Sequence, residues 1–283
     1  MPHKPVPKPP LGILAGGGDL PRRIIQACRD QNREFFVIAF KGQTPKETVF
    51  SVPHAWVRLG AAGKTVDLLH EAGVKDLVMA GRIRRPSIAA LRPDAWAARV
   101  FAKAGVKALG DDGLLSSIVK VLEKKEGFRV VGPDALLPDL LAPEGVLGAV
   151  EPDDVALADI QRGVEVARGV GALDVGQAAV VQQGFVLAVE SVEGTDAMIA
   201  RSGEMRRQGA PGGVVVKVSK PEQEKRADLP TIGPSTIKAA SAAGLRGVAV
   251  EAGGALIIDR EGVVKAADAA GIFVMGVKVV EET

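Results

Sequence analysis

The sequence predicts an α/β protein of two domains, the first built on a parallel sheet. Three observations carry this. Short apolar runs alternate with helical stretches, the pattern of βαβ units. The 283 residues exceed one ordinary domain and suit two. The core vocabulary is Ala, Val, Leu and Ile with 34 Gly, while aromatic residues make up 4% and Tyr is absent. That mix favours helices on sheets over a β-sandwich.

Leu11–Ala15 reads as a strand ending in Gly16-Gly17-Gly18, and a helix follows from Leu20 to Gln31. Strands are predicted at Phe35–Phe40, Ala55–Leu59 and Asp76–Ala80, with a helix at Thr65–Ala72 between the last two. Helices at Asp94–Leu109 and Leu114–Lys125 and a strand at Phe128–Val131 complete the first domain, residues 11–132. The stretch 133–152 holds Pro133, Pro138, Pro143 and Pro152 and reads as the linker. The second domain, 153–283, opens with a helix over Asp153–Val170. Gln177–Gln182 and Phe185–Glu190 form a predicted hairpin about Gln183-Gly184. Helices at Ala197–Arg201 and Ser235–Ala243 accompany strands at Val214–Val218, Gly247–Glu251, Ala255–Asp259 and Ile272–Val277.

Composition excludes several classes. Apolar residues at 47% and charged ones at 25% are globular proportions, so whole-chain disorder is out. One cysteine, Cys28, excludes a disulfide framework and a thiolate zinc site. The three histidines, 3, 54 and 70, are scattered. No apolar run reaches the roughly 18 residues of a membrane span. Residues 1–10 hold five prolines and read as a disordered leader rather than a signal peptide. A net charge of +2 hides an asymmetry: residues 1–132 carry 22 Lys and Arg against 12 Asp and Glu, and residues 133–283 carry 14 against 22. A basic half suits an anionic ligand or surface and an acidic half suits a cation; solvated surfaces with no partner also fit.

The chemistry-bearing residues follow the strands. Gly16, Gly17, Gly18 and Asp19 sit between a strand and a helix, where free N–H groups favour an anion, or where a tight turn needs no ligand. Pro21 stands where the dinucleotide fingerprint has its third glycine. Gly60-Ala61-Ala62-Gly63-Lys64-Thr65 mimics a phosphate loop but has Arg58 where its first glycine belongs. Arg82, Arg84 and Arg85 follow the strand ending at Ala80 and suit phosphate or plain solvent. Asp111 and Asp112 either cap a helix or accept from sugar or base groups. Glu190, Glu193 and Asp196, with Thr195 as an N-cap, form the first dense acidic cluster, of the oxygen-rich kind that Mg²⁺ takes. In the run from Lys220 to Pro234, Lys220 and Arg226 are placed to neutralise phosphate, and Asp228 to bind a metal or orient a water. The alternative for both segments is capping and surface ion pairing. The patterns of metallophosphoesterases, G-x-S-x-G and Cys-His pairs are missing, which counts against covalent nucleophilic catalysis.

Together, several segments resemble the LpxI-type UDP-2,3-diacylglucosamine pyrophosphatases. They are Gly12-Ile13-Leu14-Ala15-Gly16-Gly17-Gly18-Asp19-Leu20-Pro21, Met79-Ala80-Gly81-x-Ile83-x-Arg85-Pro86 and Gly110-Asp111-Asp112. Further on come Asp174-Val175-Gly176-Gln177, Glu190-x-x-Glu193-Gly194-Thr195-Asp196-Ala197-Met198 and Lys220-Pro221-x-Gln223-x-x-Arg226-x-Asp228-x-Pro230. The resemblance spans about residues 11–278. It implies a two-domain enzyme of lipid A biosynthesis in Gram-negative bacteria, Rossmann-like in its N-terminal domain, with a ligand cleft between the domains. The implied reaction is Mg²⁺-dependent hydrolysis of UDP-2,3-diacylglucosamine to UMP and 2,3-diacylglucosamine 1-phosphate (lipid X), with water attacking the β-phosphorus.

On that reading Asp228, Lys220, Arg226 and Glu193 are the catalytic candidates. Asp228, Glu190, Asp196 and Glu224 are the metal candidates, although the family pattern has Asp where Glu224 stands. Gly16, Gly17, Gly18, Asp19 and Arg82 are expected to contact substrate. So are Asp111, Asp112, Gln177, Thr195 and Thr231. The expected partners are the substrate and lipid X, with no nucleic acid, in the cytoplasm or peripherally at the inner face of the inner membrane. Homo-oligomerisation is common at this size, but no residue demands it. Two other classes stay open: a sugar-nucleotide oxidoreductase, which Pro21 counts against, and a non-catalytic sensor of a nucleotide-linked lipid, which would not need the acidic cluster.

Overall fold

The computed structural model describes residues 8–84, 87–104, 111–221 and 223–279. The chain divides into two compact units: Met1–Pro138 with Arg226–Asp228, and Asp139–Lys225 with Leu229–Thr283.

In the first unit the strands are β1 (Leu11–Ala15), β2 (Phe35–Phe40), β3 (His54–Val57), β4 (Asp76–Ala80) and β5 (Arg129–Val130). They form one all-parallel sheet in the order β3-β2-β1-β4-β5. The helices are α1 (Leu20–Asp30), α2 (Ala62–Glu71), α3 (Ile88–Leu91), α4 (Ala95–Ala104), α5 (Asp111–Lys124) and α6 (Pro133–Leu136). An all-parallel sheet needs cover on both faces, which explains its near-continuous apolar strands. Ile38, Phe40, Leu77 and Val130 pack with Val66 and Leu69 of α2 and Val119 and Leu122 of α5. Strand alternation turns Ile13, Val37, Ala39 and Val78 to the opposite face, where all are buried. This is the Rossmann-like sheet that the apolar runs announce. Its winding reverses between β1 and β4, and such a reversal opens a crevice at the strands' carboxyl ends.

The other end of this sheet is held by charge. Asp76 begins β4 and is 3% exposed. It accepts from Arg33 Nη2 at 2.5 Å and from Arg129 Nε and Nη2, both at 2.8 Å. Arg33 also donates to the Pro9 carbonyl from two nitrogens. Burial pushes the Asp76 carboxyl up, but the hydrogen bonds and charges of Arg129 and Arg33 outweigh it and hold it below the ordinary value.

The second unit holds β6 (Gly145–Leu147), α7 (Asp154–Ala172), β7 (Ala178–Gln182), β8 (Phe185–Val189), α8 (Thr195–Glu204), β9 (Val214–Lys217), β10 (Thr231–Ile232), α9 (Pro234–Ala242), β11 (Gly247–Glu251), β12 (Leu256–Ile257), α10 (Arg260–Ala270) and β13 (Phe273–Val277). Six strands make a mixed sheet ordered β6-β13-β11-β9-β7-β8. Here β9, β11 and β13 run parallel, while β7 runs against β9 and β8, and β6 against β13. Along β9, Val215 packs with Met198 and Ile199 of α8 and Ile237 of α9. Val214 and Val216 pack with Ala156, Ile160 and Ala167 of α7 on the other face.

Two expectations change in detail. The strand expected at Ala255–Asp259 shrinks to β12, which pairs with β10 in a separate two-stranded sheet, because the Leu256 amide bonds the Pro230 carbonyl. The stretch 133–152 carries structure of its own: α6, and β6, which pairs with β13 as an edge strand. The predicted hairpin forms with Gln183 and Gly184 both at positive φ, and the buried Asp159 accepts from both of their amides.

Asp76→Ala is expected to cost about 3–5 kcal/mol at pH 7, because it leaves the Arg33 charge buried without its partner. A carboxyl held low in the fold contributes fully above its unfolded value near 3.9, and that contribution disappears as pH falls through the folded value. Urea unfolding at pH 7 and pH 3 checks both: the gap between wild type and variant is largest at neutral pH and narrows in acid.

Candidate active site

In the first unit, the loops leaving the carboxyl ends of β1, β2 and β4 are stitched together. The amide of Gly16 bonds the Ala80 carbonyl at 2.7 Å, and Gly17 and Arg82 exchange amide–carbonyl bonds of 2.8 and 2.9 Å. A Cβ on Gly16 would stand 2.6 Å from the Arg82 carbonyl oxygen, so that close approach requires glycine. Gln43 bonds the Arg84 backbone from both ends of its amide, at 3.0 and 2.9 Å. The N–H groups of Gly16 and Gly17, expected to face an anion, therefore point into protein. Gly18, with φ +88°, and Asp19, which pairs with Arg22 and Arg23, are left at the mouth of the loop, and Arg82 is exposed beside it.

The phosphate-loop mimic is occupied by the protein itself. The Gly63 amide bonds Asp94 Oδ2 at 2.8 Å, so a carboxylate of this chain sits where an anion would. The side chains of Asp111 and Asp112, and Arg85, Pro86 and Gly110 entirely, lie outside the described residues.

In the second unit the carboxyl ends of β8, β9 and β11 and the amino end of the antiparallel β7 share one edge of the sheet. That edge collects most of the residues expected to act. Glu190, 7% exposed, directly follows β8. Its Oε2 accepts from the Gln177 amide at 3.1 Å and its Oε1 from Thr195 Oγ1 at 2.5 Å. A Cβ on Gly176 would meet the Glu190 carbonyl oxygen at 2.1 Å, so glycine lets the Gln177 strand lie this close. Lys217 Nζ, at the end of β9, donates to Thr195 Oγ1 at 2.8 Å. Lys220 Nζ donates to Asp174 Oδ1 at 2.6 Å. Gln223 accepts from the Lys220 amide at 3.0 Å and donates to Gln177 Oε1 at 3.3 Å. Glu251, at the end of β11, accepts from the Ser219 amide at 2.7 Å. One continuous hydrogen-bonded assembly thus runs from Lys217 through Thr195, Glu190, Gln177 and Gln223 to Lys220 and Asp174.

The other candidates fall elsewhere. Glu193 is occupied by Ser191 Oγ and by Arg201, which donates from Nε at 3.1 Å and Nη2 at 2.7 Å. Hydrogen bonds from Ser191 and Arg201 lower its carboxyl to about 2. Arg201 also donates to the Val189 carbonyl at 2.6 Å, so this pair braces the turn that carries Glu190. Asp196 is exposed in the first turn of α8, and Thr231 Oγ1 donates to the Leu229 carbonyl. Glu224 is half-buried in the second unit. Arg226 and Asp228 belong to the first unit, where Arg226 Nη1 meets Glu123 Oε1 at 2.7 Å and Ala227 packs on the apolar core. Sequence reasoning missed Lys217 and passed over Asp174. The chain shows only a lysine set between Val216 and Val218, with apolar residues on both parities and so nothing to say which face it takes.

Among the described residues, no three His, Cys, Asp or Glu side chains group to hold a metal ion. Nor is any helix of the described residues long and apolar enough to cross a membrane.

Residues 10–140 match the LpxI N-terminal domain and residues 143–275 the LpxI C-terminal domain. The chain is 42% identical over 273 residues to a UDP-2,3-diacylglucosamine pyrophosphatase LpxI of Caulobacter vibrioides, covering 94% of this chain and 97% of that protein. The chain belongs to the LpxI family. The assembly around Glu190 and Lys220 lies inside the segment matched to the family's C-terminal domain, and the stitched glycine loop inside the N-terminal one.

Gly16→Ala is expected to destabilise the first unit by about 1–3 kcal/mol, because a backbone carbonyl rather than a flexible side chain must move aside. Thermal unfolding checks it, and an unchanged midpoint would show that the β1 and β4 loops part without cost.

Proposed function

We propose that this chain hydrolyses the pyrophosphate bond of UDP-2,3-diacylglucosamine, releasing UMP and 2,3-diacylglucosamine 1-phosphate. The observation that carries the reading is the 42% identity along 94% of the chain to a protein of that named activity. The geometry of the second unit supports it. A pyrophosphate transition state gathers negative charge on oxygen, and fixed cationic donors stabilise it without reorganising. Lys220, 9% exposed, supplies a largely desolvated ammonium group at this sheet edge. Glu190 is an acceptor of fixed orientation, suited to placing a water. Lys220, Arg226 and Asp228 are our candidates for direct action on the phosphates and the attacking water, and Glu193 for bracing the Glu190 turn.

Mg²⁺ dependence is part of the proposal. Mg²⁺ binds nucleotide phosphates through one or two carboxylates and several waters, so the substrate's own oxygens would supply much of its coordination. We further propose that the basic first unit approaches anionic lipid from the cytoplasmic side, where the acylated substrate resides.

Purified protein incubated with UDP-2,3-diacylglucosamine and Mg²⁺ is expected to release UMP, and EDTA to suppress the release. Asp228→Ala is expected to lower turnover at least about a hundredfold with the unfolding transition retained. Tight binding without release would replace the hydrolase reading with a sensor. Wild-type turnover by folded Asp228→Ala would remove that residue from the reaction.

A further inference from the structure

We propose that Lys217 is a positioning residue for the hydrolysis proposed above: its ammonium sets the direction of the Thr195 hydroxyl proton and so holds the Glu190 carboxylate in a single orientation. The inference rests on that reading of the reaction and deepens it by one residue.

Lys217 ends β9 after three valines and is 8% exposed, with its neighbour Val215 in the core between sheet, α8 and α9. An apolar residue would continue this strand at less cost, since a desolvated ammonium is stabilising only with good partners. The strand's alternation turns Lys217 to the face that α8 covers, and Thr195 is the first residue of α8. There Nζ lies 2.8 Å from Thr195 Oγ1.

Donor and acceptor roles follow from chemistry. An ammonium only donates, so Thr195 Oγ1 must accept from Lys217. A hydroxyl has a single proton, and its remaining partner is Glu190 Oε1 at 2.5 Å, an acceptor. The second carboxylate oxygen takes the Gln177 amide, which belongs to the backbone and cannot turn away. Glu190 is thus gripped on both oxygens, one grip being rigid main chain and the other a hydroxyl that only Lys217 orients. Without the ammonium, Thr195 is free to rotate, and its proton has other acceptors within reach of the first turn of a helix. Lys217 acts through Thr195, so its effect belongs to orientation rather than to binding.

The test measures UMP release against UDP-2,3-diacylglucosamine concentration for wild type, Lys217→Met, Lys217→Arg, Thr195→Val and the Lys217→Met/Thr195→Val double variant, with a thermal unfolding curve for each. Lys217→Met and Thr195→Val are each expected to lower kcat about tenfold to a hundredfold with KM changed less than about threefold. The double variant is expected to be no slower than the worse single one, because both remove the same proton direction. Lys217→Arg, a donor-only cation, is expected to recover much of the loss. Wild-type kcat in folded Lys217→Met, losses in kcat that multiply in the double variant, or a change in KM alone would overturn the proposal. Should Lys217→Met lose its unfolding transition, Thr195→Val decides, since it removes the same proton, and wild-type kcat there overturns the proposal. Absence of UMP release by the wild-type protein would instead overturn the reading of the reaction, and the role of Lys217 with it.

Discussion

A carboxylate as buried as Glu190 persists only if both oxygens find donors, and that requirement organises the second unit. Its donors come from the residue entering β7 and from the first turn of α8, and the second of these is held by a lysine ending β9. Each donor sits where a strand or helix begins or ends, so the sheet's register and the seat of α8 must both be right before the carboxylate is satisfied. The apolar packing of Val215 against Met198, Ile199 and Ile237 supplies the force that seats the helix. The polar assembly at the edge adds a hydrogen-bond requirement to that apolar contact. A half-satisfied network of this kind would cost more than an apolar edge, which is why its members interlock.

The first unit meets the same constraint with backbone. At the reversal point between β1 and β4, where parallel sheets present ligand crevices, Gly16 and Gly17 spend their amides on the Ala80 and Arg82 carbonyls. The loop is therefore rigid, and what it offers a ligand is the open surface at Gly18 and the side chains of Asp19 and Arg82. At the opposite end of the sheet, Asp76 gathers Arg33 and Arg129 into a buried cluster. The stitched glycine loop and the buried charge cluster thus occupy the two opposite ends of one sheet.

Several residues with the same formal charge have different roles for reasons of place. Glu190 and Glu193 are three residues apart, yet one is buried among neutral donors and a backbone amide while the other pairs with Arg201 at the surface. Asp94 and Asp159 both accept backbone amides, the first at the start of α2 and the second at the Gln183-Gly184 turn, so these carboxylates serve as caps.

Much was legible in the chain itself. The alternation of apolar runs with helical stretches located β1, β2, β4, β7, β8, β9, β11 and β13 within about a residue, because the apolar character of a strand is local information whether it is buried or, like β8, at the sheet edge. The Gln183-Gly184 hairpin was equally visible, since its turn geometry is a property of two residues. The ordered segments around Gly16, Glu190 and Lys220 pointed to the family. What the sequence could not decide was which polar groups meet. Whether a glycine amide faces a ligand or the neighbouring strand, and whether a lysine ending a strand reaches solvent or a threonine 22 residues earlier, depends on strand order and helix placement. Those are set by long-range packing, and a hydrogen bond between distant residues leaves no periodicity in the chain to read.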